Sequence, residues 1–487
     1  MTELDPYARR RLGARLAANS AVQIAGSGLA SAISFFTFVA ITRGLGPEAF
    51  GDFTAAMVFL FIPVVLADVG LTAAVLREIS ARPARTPELM RVSVSLRVVV
   101  SAIAVAAGVA VGLVLPFTEQ TKVAILIGSG GAFLTLMTSA LQPVLQAQLK
   151  LHWMVAANVL GRVVTLAATL AALSAGLGFK SVVGANVVGV AVTFLLHLAI
   201  VARLVPLRPT LDLSGWRTLL RGSLVVGAAI GISQIYFRID TVLLAVLRSP
   251  EEVGFYGAAY KFIELSEIVV AAVAMSMFPP LARFVATGDE RARALVQNAF
   301  DVLLAASAAV ALFMLAFAEE IIVVTAGEEF DEGAVALQLL APYALLAYAN
   351  GMLWRVLIAV KRDRALLAIA VSVLVLNVGL NLALIPVYGF KAAAVISVAS
   401  ELFVTVLIAT VARGHGLLPS LGFAPAVLLA VAAAATVILL LPGPTLTVAI
   451  VAAAVYSAVV VAMPGTVRSF VRGELVPATS RLVRGSR

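Results

Sequence analysis

Hydrophobic positions in this chain do not alternate with polar ones; they run on, with few interruptions, for about twenty residues or more at a time. A run of that length is what crosses about 30 Å of hydrocarbon as a helix. Such runs lie at approximately 18–41, 52–76, 92–115, 123–147, 152–175 and 181–202, then at 222–247, 254–282, 296–317, 333–360, 365–385, 391–412, 422–441 and 445–463. The pattern therefore predicts an all-α integral membrane protein of about fourteen transmembrane helices. The hinges at Lys150 and at Pro442-Gly443-Pro444 are the shortest separators.

The runs repeat. Pro47-Glu48-Ala49-Phe50-Gly51-Asp52-Phe53 returns as Pro250-Glu251-Glu252-Val253-Gly254-Phe255-Tyr256, an offset of 203, and Gly178-Phe179-Lys180 returns as Gly389-Phe390-Lys391, an offset of 211. The offset grows by eight because the connection at 318–332 is fifteen residues long where its partner at 116–122 has seven. Six helices per copy is an even number, so both copies take the same orientation and are related by an axis along the membrane normal. This gives a cytoplasmic tail at 1–17, a six-helix bundle at 18–202, an interfacial linker at 203–221, a second bundle at 222–413, two further helices within 414–463 and a basic tail at 464–487. Two similar bundles that rock against each other around a charged central cavity are the build expected of a transporter.

Composition agrees. The 487 residues are 62% hydrophobic and 13% charged, too few polar side chains to coat a soluble globule. The net charge of +9 has its origin in topology rather than in nucleic-acid binding: twenty-five Lys and Arg fall in the connections of one side, against Arg43, Lys122, Lys180, Arg248 and Lys391 on the other. This places both termini in the cytoplasm and the chain in the cell membrane, with the first helix retained rather than cleaved as a signal. The linker (Pro206, Pro209, Trp216, Arg217, Arg221) and the tail after Pro464 read as interfacial segments on anionic headgroups. With no cysteine, and with His152, His197 and His415 far apart, no metal site is expected. No lysine follows a glycine, which excludes a phosphate-binding loop, so energy must come from an Na+ or H+ gradient or from the substrate. No connection is long enough for a catalytic domain, and the chain reads as a transporter rather than an enzyme.

Charges inside the spans mark the candidate site, because each costs about 3 kcal/mol at mid-membrane unless it faces water or a partner. Arg97, Asp301 and Arg355 lie within reach of a cytoplasmic end. Arg162 and Arg238 lie near mid-span. Gly227, Gly231, Gln234, Arg238 and Thr241 recur at helical spacing, as do Asn158, Arg162, Thr165 and Thr169, each set reading either as a polar face toward substrate or as close helix packing. Asp240 points away from Arg238. Lys261 and Glu264 are spaced for an ion pair, Glu267 extends the row begun by Tyr260, and Asp68 is the one deep acid of the first half. The candidate substrate-binding set is Arg238, Arg162, Asp240, Lys261, Glu264, Glu267, Asn158, Gln234, Arg355 and Asp68. Pro279-Pro280 should bend or end the eighth helix.

Several local patterns add a family. Arg43-Gly44-Leu45-Gly46-Pro47-Glu48-Ala49-Phe50-Gly51, Ala67-Asp68-Val69-Gly70-Leu71, Arg238-Ile239-Asp240 and Glu252-Val253-Gly254-Phe255-Tyr256 through Ala259-Tyr260-Lys261 resemble, in order and spacing, the O-antigen and capsule flippases of the multidrug/oligosaccharidyl-lipid/polysaccharide exporter superfamily. The resemblance implies carriage of polyprenyl-diphosphate-linked oligosaccharide from inner to outer leaflet, with arginines facing the diphosphate, and places polysaccharide polymerases and glycosyltransferases of the same pathway among the partners. Interior acids that roughly match the bases depart from that family's strongly cationic picture. A lipid II flippase would concentrate arginines in helices one, two and eight; a drug/cation antiporter would rely on buried acids of the first half; a membrane glycosyltransferase would need catalytic acids on a large outer loop, where only Glu319 to Glu332 offers any.

Overall fold

A backbone with no water around it must close its own hydrogen bonds, and a long apolar run does so as a helix. The computed structural model describes residues 6–68, 70–207 and 210–463, which are almost wholly helical and contain no strand. The predicted basic tail lies outside the described residues. In chain order the helices are α1 (Pro6–Asp68), α2 (Leu71–Ala81), α3 (Thr86–Val114), α4 (Glu119–Ala147), α5 (Leu151–Ser174), α6 (Phe179–Ala202), α7 (Leu213–Tyr236) and α8 (Ile239–Leu247). They continue with α9 (Pro250–Thr287), α10 (Arg291–Ala316), α11 (Ala318–Ala326), α12 (Gly333–Ala359), α13 (Asp363–Gly414), α14 (Ala424–Leu440) and α15 (Thr445–Ala462).

Among the described residues nine helical stretches are long and apolar enough to cross a membrane, and the bent α9 makes a tenth. Two of the nine, Ala25–Ala81 with 57 residues and Asp363–Gly414 with 52, have the length of two crossings each. Adding the shorter apolar α14 and the α7–α8 pair, every run read from the sequence has its helix. The fold is that of an all-α integral membrane protein.

Glycine makes the breaks. Within α1, Gly46 takes φ 74°, and within α13, Gly389 takes φ 59°, a region L side chains avoid. Gly178, the sequence partner of Gly389, takes φ 74° just before α6, so the repeated Gly-Phe-Lys marks the same turn in each copy. The predicted second helix is not continuous, however: α1 stops at Asp68 and Gly70 adopts φ 71° before α2 begins. Its counterpart α9 bends by 43° at residue 275, which is Thr72 plus the offset of 203. Residue 275 is also four before Pro279, whose ring clashes with the carbonyl at that position.

Two units divide the chain: Met1–Gly257 with Thr325–Glu329, and Ala258–Val324 with Phe330–Arg487. In the first, Ile125, Leu136, Phe59 and Phe117 form part of a core between α1, α3 and α4. Buried Asp52 accepts hydrogen bonds from the hydroxyls of Thr118 and Thr121 (2.6 Å for the latter), tying α1 to the start of α4. The repeated Pro-Glu-x-x-Gly segments also meet here. A Cβ on Gly51 would collide with the carbonyl of Pro250, one on Gly254 with the carbonyl of Pro47, and one on Gly257 would lie 3.0 Å from Thr54 Cγ2. Under the offset of 203, Pro47, Gly51 and Thr54 are the counterparts of Pro250, Gly254 and Gly257, so the two copies cross by their own equivalent residues.

In the second unit α14 and α15 lie on α10 through Phe423, Val427, Ala430, Tyr456 and Val460. The Tyr456 hydroxyl donates to the Ala305 carbonyl at 2.7 Å. Gln297 fastens the chain ahead of α14, donating to Ser420 O at 3.0 Å and accepting from Ser420 N at 2.7 Å.

Candidate functional site

Where α1 stops, its last residue is used. Arg97 of α3 donates from Nη2 to Asp68 Oδ1 at 2.7 Å and to Thr72 Oγ1 at 3.0 Å, while Thr72 donates to the same carboxylate oxygen at 2.6 Å. Arg97 is 1% exposed and Asp68 about a third exposed by its side chain, so the pair is buried at one end and open at the other. The left-handed Gly70 makes this possible by turning α2 away. It also packs against the backbone of Gly227, where a Cβ would lie 3.0 Å from Gly227 Cα.

The polar face expected along the seventh helix is divided, since α7 ends at Tyr236 and Arg238 precedes α8 with φ −133°. Arg238 is half-buried, its guanidinium carbon 4.8 Å from the centroid of the Phe61 ring. That is cation–π seating, in which the apolar ring face replaces part of the lost hydration. Gln234 is exposed on the preceding turn, whereas Gly227 and Gly231 are buried and serve packing. Asp240, 3% exposed, turns inward: it accepts the Tyr256 hydroxyl at 2.6 Å and the Thr241 amide at 2.6 Å.

On α5 the two readings separate residue by residue. Thr165 hydrogen-bonds Gly161 O and sits in the gap left by Gly189; Thr193 of α6 hydrogen-bonds Gly189 O and fills the gap left by Gly161. Any Cβ at either glycine would strike the opposing threonine, a reciprocal small-residue crossing. Arg162 is exposed and Asn158 half-buried beside this crossing.

In the second unit the Lys261–Glu264 pair forms as its spacing predicts, Nζ to Oε2 at 2.9 Å, and Glu267 is exposed on the next turn. The Tyr260 and Tyr343 rings meet edge to face at 6.3 Å, and the Tyr348 hydroxyl donates to Ser266 O at 2.5 Å. Arg355 donates from Nη1 to Gly351 O of its own helix, also at 2.5 Å.

One constellation lies outside the candidate set. Asn350 on α12 donates to Glu401 Oε2 at 2.6 Å and to its carbonyl at 2.9 Å. On α13, Asn377 donates to Ser400 Oγ and Asn381 donates to Asn377 Oδ1. All five residues are buried. Glu401, an acid inside an apolar run, and the row Asn377, Asn381, four apart, are its signals in the sequence. Among the described residues no group of three His or acidic side chains is placed to hold a metal.

Outside the spans, the linker docks as a capped segment. Asp212 caps α7, accepting from the Ser214 hydroxyl at 2.7 Å and from the Gly215 and Ser214 amides, and these bonds hold its carboxyl below the usual aspartate range. Trp216 Nε1 donates to Ser95 Oγ at 3.0 Å, and Ser95 in turn donates to Thr210 O.

Residues 16–285 match a family described as polysaccharide biosynthesis protein, and residues 228–383 one described as MatE. No curated protein sequence matches the chain. Among solved structures, a lipid II flippase, MurJ, in an inward closed conformation superposes with a TM-score of 0.76 at 13% identity, covering 93% of this chain and 98% of that one. An inward-facing multidrug resistance MATE family transporter of the MOP superfamily gives 0.65 at 16% identity, covering 79% and 94%. A MOP superfamily transporter from Pyrococcus furiosus gives 0.60 at 17% identity, covering 82% and 95%. At these identities the likeness is one of fold.

Proposed function

Because this chain belongs to the polysaccharide biosynthesis protein family, we propose that it is a flippase that carries a polyprenyl-diphosphate-linked oligosaccharide from the inner to the outer leaflet for cell-surface polysaccharide synthesis. The observation that carries the reading is Arg238: half-buried at the break between α7 and α8, its guanidinium rests on Phe61. A guanidinium so placed has donors matched to a diphosphate. In the first unit the exposed Arg162 and Gln234 and the half-buried Asn158 supply further polar contacts for a bulky, hydrated cargo; in the second the exposed Glu267 and the half-buried Lys261 are polar groups of the same kind. Arg355, Glu264, Asp68 and Asp240 act at one remove, each engaged with protein groups that fix its helix.

The charge distribution supports a cell-membrane location with cytoplasmic termini. Such a flippase takes its cargo from glycosyltransferases and delivers it to a polymerase. Lipid II, the cargo named for the structurally similar MurJ, shares the polyprenyl diphosphate and differs in its sugar and peptide.

Reconstitution tests this. In vesicles, the purified chain should move a fluorescent polyprenyl-diphosphate oligosaccharide between leaflets, and the Arg238→Ala protein should not. Equal movement of lipid II and oligosaccharide, or of neither, would remove the assignment.

A further inference from the structure

Each unit carries a cavity at the arginine-rich ends of its helices, and the two are copies of one another. In the first unit an open cavity of about 420 Å³ is lined by Thr86, Pro87, Gln148, Leu204 and Val205 among others. In the second an open cavity of about 720 Å³ is lined by Asp289, Glu290, Arg293, Gln297, His415 and Gly416 among others. Adding 203 to Thr86 and Pro87 gives Asp289 and Glu290, and adding 211 to Leu204 and Val205 gives His415 and Gly416. The hairpin geometry thus makes the cavity in both copies. Its chemistry differs: no charged side chain lines the first, and the second is charged.

One arginine, Arg293, lines the second, and another, Arg362, reaches His415 of its lining. Arg293 donates from Nε to Gly416 O at 2.9 Å, and Arg362 donates from Nε to His415 Nε2 at 3.1 Å, so both guanidiniums are steered by their inner nitrogen to adjacent residues at the end of α13. His415 Nδ1 lies 2.9 Å from Val411 O, which makes Nδ1 the protonated nitrogen and Nε2 the acceptor. Capping the end of α13 is one task for the pair. It uses only the Nε atoms; among the described residues neither arginine has a protein partner at its Nη groups. Asp289 is neutralised by Arg291, which it meets at 2.5 Å. Arg283, Lys361, Arg364 and Arg413 stand exposed nearby in the chain. Paired guanidinium forks beside a cavity of small-molecule size fit a phosphate group better than they fit a lone carboxylate.

We propose that the cavity bounded by α10, the α9–α10 turn and the end of α13 is a binding site for a phosphate-bearing ligand, either a soluble phosphate compound or the headgroup of an anionic lipid. Arg238 is not among its residues, and the proposal does not depend on the transport reading.

The test is binding to the purified full chain in uncharged detergent at constant ionic strength. The probes are pyrophosphate, dioctanoyl phosphatidylglycerol and, as the control without phosphate, dioctanoylglycerol. Saturable binding of either phosphate probe is expected, measured in the Arg238→Ala background so that the diphosphate contact of the transport reading is absent, and weakened at least tenfold when Arg293→Gln and Arg362→Gln are added. Pyrophosphate binding assigns a soluble ligand, and binding of the phosphatidylglycerol alone assigns a headgroup. Ala294→Trp, which adds bulk to the cavity lining and leaves both arginines in place, should weaken binding as much. Binding of neither phosphate probe, equal binding of dioctanoylglycerol, or retention in both cavity variants would overturn the proposal.

Discussion

Arg97 and Asp68, 29 residues apart, meet at 2.7 Å because α1 ends where it does. A buried guanidinium is tolerated only with its counter-charge, and removing one member of such a pair leaves the other exposed to the full desolvation cost. Asp68→Ala should therefore destabilise the protein by about 3 kcal/mol, the low end of that range because Asp68 is partly open. Asp68→Ala with Arg97→Met should recover most of the loss. Thermal unfolding of the three proteins in detergent decides it, and a double variant no better than the single one would refute the pairing argument.

The same pair shows what the sequence makes legible. Both residues stand out there as charges in apolar runs, yet their partnership depends on a break at Gly70 that the surrounding Ala67, Leu71 and Ala74 disguise as continuous helix. Lys261 and Glu264 are the opposite case, three residues apart on one helix and so visible in one dimension. Helix number was legible because hydrocarbon thickness sets run length; the Asn350–Glu401 contact was not, since a lone amide in an apolar run carries no spacing. Thr165 and Arg162 share a stripe in sequence but part company in the fold, because only the threonine has a glycine opposite it.

The Gly161/Thr193 and Gly189/Thr165 crossing leaves no room for larger residues. Gly161→Leu should cost about 1–3 kcal/mol through forced separation of α5 and α6. Exchange protection of α6 amides, lowered in the variant, would report it; unchanged protection would mean the helices are not held there.

The crossing of Pro47–Gly51 with Pro250–Gly254 can be locked. The chain has no cysteine, and Gly257 faces Thr54, so Thr54→Cys with Gly257→Cys gives a single possible disulfide. It should form on mild oxidation and stop transport until reduced. A disulfide that forms without affecting transport would show that this crossing stays closed throughout the cycle.

Acid should release the linker. Asp212 has a folded pKa depressed by its hydrogen bonds, so its stabilising contribution is complete above the unfolded value and is lost as pH falls through the folded one. Trp216 fluorescence, sensitive to its bond with Ser95, should change over that acid range in the native protein. In Asp212→Asn the step should vanish; an identical step would assign it to another group.

The central claim is cargo movement, and cells depleted of this protein test it most directly. Lipid-linked oligosaccharides would be extracted, identified and assigned to a leaflet. The account predicts that a completed polyprenyl-diphosphate glycan accumulates on the cytoplasmic side and that Arg238→Ala fails to clear it. Unchanged lipid-linked pools, with altered tolerance to cations or drugs instead, would contradict it.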